Sequence, residues 1–168
     1  YTVAIDPNLS MLEVRACFDG RPPANLVAES LDATLALADV RLEGSRKPIE
    51  PSGSISLKSV PDGGCIRYRA NVSQPIKQHD RTGGKIRRIG ADLLTSAGIW
   101  FWRPETLAAD EDIEIIFQLP EGIAVSAPWQ PVLSEHNVFR MGRTPWDWPA
   151  SVAFGRFRER EVRVGGAS

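Results

Sequence analysis

The stretch Cys65-Ile66-Arg67-Tyr68-Arg69-Ala70-Asn71-Val72-Ser73 decides the fold class, because it alternates without a break. Ile66, Tyr68, Ala70 and Val72 fall on one side of an extended backbone; Arg67, Arg69, Asn71 and Ser73 fall on the other. A period of two is the signature of a half-buried strand. Just upstream, Pro61-Asp62-Gly63-Gly64 supplies a proline and two glycines between this run and residues 54–60, so 54–73 reads as a β-hairpin. Further upstream, Leu12, Val14, Ala16 and Phe18 alternate with Glu13, Arg15 and Cys17, which predicts a strand over 11–18 with one buried and one solvated face. Asp6-Pro7-Asn8 turns the chain between that strand and another over 1–6.

The remaining segments follow the same pattern. Short strands are predicted over 98–102, 112–119, 123–127, 138–141, 151–158 and 161–164, with Pro or Gly turns between most of them. Residues 74–90 are rich in Lys, Arg and Gly and read as a long exposed loop, and 44–53 as a polar connection. Residues 25–40 stay open: Val27, Leu31, Leu35 and Ala38 fit a helical stripe that Ser30 can cap, while Thr34 and the Leu35, Leu37 alternation permit a strand. The sum is an all-β, antiparallel sandwich-like domain or open barrel with at most one or two short helices.

A chain of 168 residues is expected to form a single domain over 1–168 and buries enough surface to hold a core without metals or disulfides. The balance of 42% hydrophobic and 24% charged residues excludes disorder, and no apolar run reaches the roughly 18 to 20 residues of a membrane span. A net charge of -1 gives no field that favours nucleic acid. The chain opens on Tyr1, inside a strand-like run and without Met, as expected of a sequence whose original start has been removed. Cys17 and Cys65 lie in two predicted strands, and they can pair if those strands are neighbours with Cα atoms closer than about 7 Å. The habit of free cysteine to be buried favours two free thiols packed as small hydrophobes.

No catalytic apparatus is legible. His79 and His136 have no second His or Cys at zinc spacing, no His-Glu-x-x-His or Gly-x-Ser-x-Gly occurs, and Gly63-Gly64 and Gly83-Gly84 are turn glycines outside any phosphate loop. A hydrolase would need Ser134, Glu135 and His136 to converge with distant residues. Asp110, Glu111, Asp112 and Glu114 read as a solvated strand entrance, since calcium needs six or more oxygens on a shaped loop.

Binding candidates are clearer. Lys77, Arg81, Lys85, Arg87 and Arg88 form a one-sign cluster that can meet an anionic partner, but no aromatic interleaves them, which favours a solvated loop. Trp100 and Trp102, two apart on a predicted strand, share a face; core filling is favoured over an aromatic platform. Trp146, Asp147 and Trp148 sit between Pro145 and Pro149, where neither helix nor central strand is tolerated, and make a loop that either stacks on a ligand or docks on a neighbour, or else plugs one end of the sandwich.

An opening Tyr1-Thr2-Val3-Ala4-Ile5 strand, a strand closing on Gln118-Leu119-Pro120-Glu121-Gly122, and a late run from Thr144-Pro145 to Phe154-Gly155-Arg156-Phe157 together resemble the N-terminal β domain of the glycyl-aminopeptidase-like gluzincin metallopeptidases. The resemblance spans most of the chain loosely. It implies an accessory domain that carries no zinc ligands or catalytic base, ahead of a thermolysin-like domain that binds zinc with a His-Glu-x-x-His helix. Residues 25–40 depart from the family, which commonly has a Trp-x-Pro-Gly-Ser-Tyr-like segment after its early strands. The expected role is docking to a downstream catalytic domain or protein partner and bordering its substrate cleft, with peptide or carbohydrate as further partners, and a stand-alone module binding carbohydrate or protein through exposed tryptophans is the rival.

Overall fold

The computed structural model describes residues 1–30, 32–45, 47–73, 86–108, 111–144 and 150–157. In chain order these form β1 (Thr2–Ile5), β2 (Met11–Cys17), β3 (Asn25–Leu26), α1 (Ala33–Ala36), β4 (Leu37–Leu42), β5 (Ile55–Ser56), β6 (Cys65–Asn71), β7 (Ile86–Ile89), β8 (Asp92–Ser96), α2 (Ala97–Trp100), β9 (Ile113–Gln118), β10 (Ala124–Ser126), β11 (Gln130–Pro131), β12 (Val138–Met141) and β13 (Ser151–Gly155). The chain is mostly β with two one-turn helices, the sandwich-like class that the alternating runs predict. A seven-stranded sheet runs in the order β11-β12-β9-β1-β2-β6-β4, and a four-stranded sheet in the order β10-β13-β8-β7. All pairs are antiparallel except β1 with β9, and β3 with β5 makes a separate two-stranded ribbon.

Alternation decides which face is covered. Leu12, Val14 and Ala16 of β2 and Ile66, Tyr68 and Ala70 of β6 are buried almost completely, while Glu13, Arg67 and Arg69 face water. The covered face meets the small sheet: Phe117 of β9 touches Phe154 of β13 edge to face at 5.6 Å. Such a pair adds about 0.5–1.5 kcal/mol beyond the area it buries.

Helix α2 enters this core. The segment 97–102 is apolar and short, and periodicity cannot separate a buried helical turn from a buried strand in such a run. The backbone closes a helical turn, Phe101 N donating to Ala97 O at 2.8 Å, so the strand expected over 98–102 is replaced by α2. The Tyr68 hydroxyl fixes it, donating to Trp100 O at 3.1 Å and accepting from Trp102 N at 3.2 Å.

Three further expectations change. The hairpin over 54–73 does not form: β5 pairs with β3, whereas β6 lies between β2 and β4. Its turn is present, with Gly64 N on Pro61 O at 2.9 Å and Gly63 at φ +70°, but Gly63 N bonds Gly20 O and ties the turn to the end of β2. A strand as apolar on one face as β6 gains more between two partners of the large sheet than beside the two-residue β5. Residues 86–89, expected in a loop, are β7, turned through Gly90 at φ +62° onto β8, which also went unpredicted. Residues 25–40 contain both alternatives, β3, α1 and the start of β4. Ser30 is not the N-cap: Asp32 is, and Leu35 of the proposed helical stripe is 73% exposed. The strand expected over 161–164 and most of the basic stretch lie outside the described residues.

Cys17 and Cys65 stand directly opposite each other where β2 and β6 end, with Cα atoms 4.1 Å apart, and form a disulfide. The free-thiol reading is corrected by register, because the two strands are neighbours and the cysteines share a rung.

Candidate functional site

The outer face of the seven-stranded sheet carries the densest polar chemistry among the described residues. Its rungs along β2 and β6 pair Glu13 with Arg69, Arg15 with Arg67, and Cys17 with Cys65. Like charges facing across a rung repel, so Arg15 opposite Arg67 needs a counter-ion. Glu43, just after β4, supplies it. Arg15 donates from Nε at 2.9 Å and Nη2 at 2.8 Å, and Arg67 from Nε at 2.9 Å and Nη2 at 2.7 Å. Hydrogen bonds from Arg15, then from Arg67, pull the Glu43 carboxyl down to about 2 and outweigh its partial burial. The same bond raises the Arg15 guanidinium above its ordinary value. Arg67 also reaches Glu13 at 3.5 Å, and Arg69 pairs with Asp39 on the edge strand β4.

A cleft of about 690 Å³ opens at this end of the sheet, with Arg15, Cys17, Asp19, Arg21, Glu111 and Glu114 among its walls. Beside it a shallower hollow of about 350 Å³ runs over Thr2, Ala4, Glu13, Arg15, Arg67 and Gln118. Glu43 is unsuited to general-base work, because it stays ionised to very low pH with both oxygens engaged. Cys17, Glu43 and Cys65 bring three ligand-type atoms within 4.8 Å of one another. They do not fit a metal centre: the two sulfurs are bonded to each other and the carboxylate is filled by two guanidinium groups. The zinc that the family resemblance implies for a following domain thus finds no fit at this cluster.

The sequence-predicted candidates are scattered. Trp100 and Trp102 are both 0% exposed, in the core rather than on a platform. Trp100 packs edge-on to Trp129 at 6.3 Å and to Phe117 at 6.3 Å. Arg88 donates to Leu9 O at 2.6 Å and Asn8 O at 3.3 Å, clamping the Asp6 turn to β7 instead of standing free in a loop. Arg87 is exposed at the rim of a hollow of only about 120 Å³. Lys85, Trp146, Asp147 and Trp148 lie outside the described residues, as does Asp110. Ser134, Glu135 and His136 are exposed in the turn between β11 and β12, and Glu111, Asp112 and Glu114 are exposed beside the cleft. Sequence reasoning missed the Glu43 cluster and the Arg103 to Glu29 pair, whose Nη2 to Oε1 distance is 2.7 Å with Arg103 only 3% exposed. Residues so far apart in sequence leave no local signal.

No family model matches the chain. Its fold is similar to part of an aminopeptidase N family protein from Idiomarina loihiensis, known from a crystal structure, with a TM-score of 0.60 and 12% identity over 98% of this chain and 30% of that one. At that identity the likeness is one of fold. In sequence the chain is 27% identical over 143 residues to proteins named "Putative diacyglycerol O-acyltransferase" from Mycobacterium bovis and two strains of Mycobacterium tuberculosis, covering 81% of this chain and 28% of each relative. The chain spans less than a third of the length of the proteins it matches. Among the described residues no helix is long and apolar enough to cross a membrane.

Proposed function

We propose that this chain is the non-catalytic N-terminal β domain of a larger zinc aminopeptidase-like protein of the gluzincin type, docking a following catalytic domain and bordering its substrate cleft. One observation carries the reading: nearly the whole chain, 98%, superposes on a part amounting to 30% of an aminopeptidase N family protein. The loop Trp146-Asp147-Trp148 is the docking surface assigned in this proposal, since tryptophan supplies large contact area at small entropic cost. Zinc would be held by the following domain. The carbohydrate-module rival loses one of its two platforms, because Trp100 and Trp102 are core residues.

The test is to express the complete open reading frame and measure metal content together with hydrolysis of aminoacyl anilides. Bound zinc and a hydrolysis that chelation abolishes are expected. A product without zinc that moves acyl groups from acyl-coenzyme A to diacylglycerol overturns the proposal in favour of kinship with the mycobacterial proteins. A product that shows neither zinc nor hydrolysis overturns it as well.

A further inference from the structure

The rung Cys17 to Cys65 is built for a covalent step that the proposed docking role does not use. Three observations meet there. The cysteines occupy one register position of adjacent antiparallel strands, so folding of the β2 to β6 ladder alone brings the sulfurs together. Both side chains are half-buried, and Cys17 lines the wall of the 690 Å³ cleft, so a reagent can approach from solvent. The rung below presents Arg15 and Arg67, each two residues from a cysteine and on the same sheet face, with Glu43 between them. The Glu43 carboxylate lies within 4.8 Å of both sulfurs and is itself held by the two guanidinium groups, so closure of the bond rests on register and access rather than on local charge.

We infer that Cys17 and Cys65 are a modification site: a dithiol-disulfide oxidoreductase of an oxidising compartment installs the bond, and this domain matures in such a compartment. The chemistry closes with that partner named. One cysteine, as thiolate after losing its proton, attacks the oxidoreductase disulfide; a protein-to-enzyme sulfur bond forms and the enzyme's sulfur bond breaks. The second cysteine loses its proton and attacks the cysteine sulfur of that mixed disulfide, which expels the enzyme's other thiolate. Two protein thiols are oxidised by two electrons, the enzyme disulfide is reduced to a dithiol, and the two protons end on it. In a reducing cytosol the glutathione and thioredoxin systems hold such pairs open, so a bond that persists at Cys17 and Cys65 in the native protein reports the compartment. The inference does not depend on which activity the complete protein has.

The experiment takes the native protein from its source cells, quenches it in acid, denatures it, and adds a maleimide-polyethylene glycol reagent before or after reduction. Peptide mapping then reads the two positions. Expected is no addition at Cys17 or Cys65 without reductant and full addition at both after it; full addition without reductant overturns the inference. A second measurement separates pairing from compartment. The full-length protein, reduced and refolded, is offered oxidised glutathione. Closure of the Cys17 to Cys65 bond without retained glutathione is expected. Stable glutathione adducts on both cysteines would overturn it by showing that the sulfurs do not meet.

Discussion

Tyr68 joins three parts of the molecule through one hydroxyl. Its ring sits on the covered face of β6, 1% exposed, and its oxygen serves two backbone groups of the α2 exit, Trp100 O and Trp102 N. Burial holds the phenol well above its ordinary pKa, so it remains protonated and able to donate. Tyr68→Phe keeps the packing and strands both backbone groups, at a cost of about 1–3 kcal/mol for an orphaned buried group; urea unfolding of the variant reads that loss as a lower midpoint with unchanged slope. Glu43 gives a pH signature instead. Its folded pKa lies below its ordinary value, so its stabilisation is complete above that ordinary value and disappears as pH falls through the folded one. Wild type should exceed Glu43→Gln by a constant margin down to roughly the ordinary 4.5, and the margin should shrink to nothing by about 2. Side-chain exposures of 31%, 41% and 47% for Glu43, Arg15 and Arg67 keep that margin near 1 kcal/mol or below. A stability difference that persists below that lower limit would rule out the carboxylate as its source. At this scale the sequence displayed the apolar faces of β2 and β6 plainly, yet it hid Glu43, because a counter-ion brought from a neighbouring strand has no spacing rule.

Elements were legible where alternation was long. β2, β6, β9 and β12 lie where their patterns put them, since a one-residue slip would turn each apolar set into water. Pairing was less legible. The Pro61 to Gly64 turn promised a hairpin, and its local hydrogen bond formed, but the partners of β6 were chosen by the apolar area of the large sheet. β7 was not legible because Arg87 and Arg88 mask the strand between Ile86 and Ile89. The disulfide lies at this level too, since it depends on which strands are neighbours. It closes a separation of 48 residues and so removes unfolded-state freedom. Cys17→Ser with Cys65→Ser should lower unfolding stability by about 2–4 kcal/mol while leaving the ladder intact. The far-ultraviolet dichroism should be unchanged, and adding reductant to wild type should reproduce the loss. A variant as stable as the oxidised protein would show that the rung contributes hydrogen bonding alone.

For the whole molecule, the tryptophans separate the fold from the proposed docking. Trp100 and Trp102 are 0% exposed and Trp129 is 6% exposed, and their indole nitrogens are buried without a hydrogen-bond partner. Emission from such indoles should be blue-shifted and resistant to iodide, because neither polar solvation nor the quencher reaches them. The other two tryptophans, Trp146 and Trp148, lie outside the described residues and carry the docking proposal. Replacing both with phenylalanine therefore isolates the core signal: Trp146→Phe with Trp148→Phe should keep the blue, quencher-resistant emission and leave the unfolding midpoint unchanged. On the docking proposal, wild-type Trp146 and Trp148 of the complete protein are shielded from iodide by a following domain and become quenchable when residues 1–168 are made alone. Equal quenching in the two forms would remove the loop from the interface.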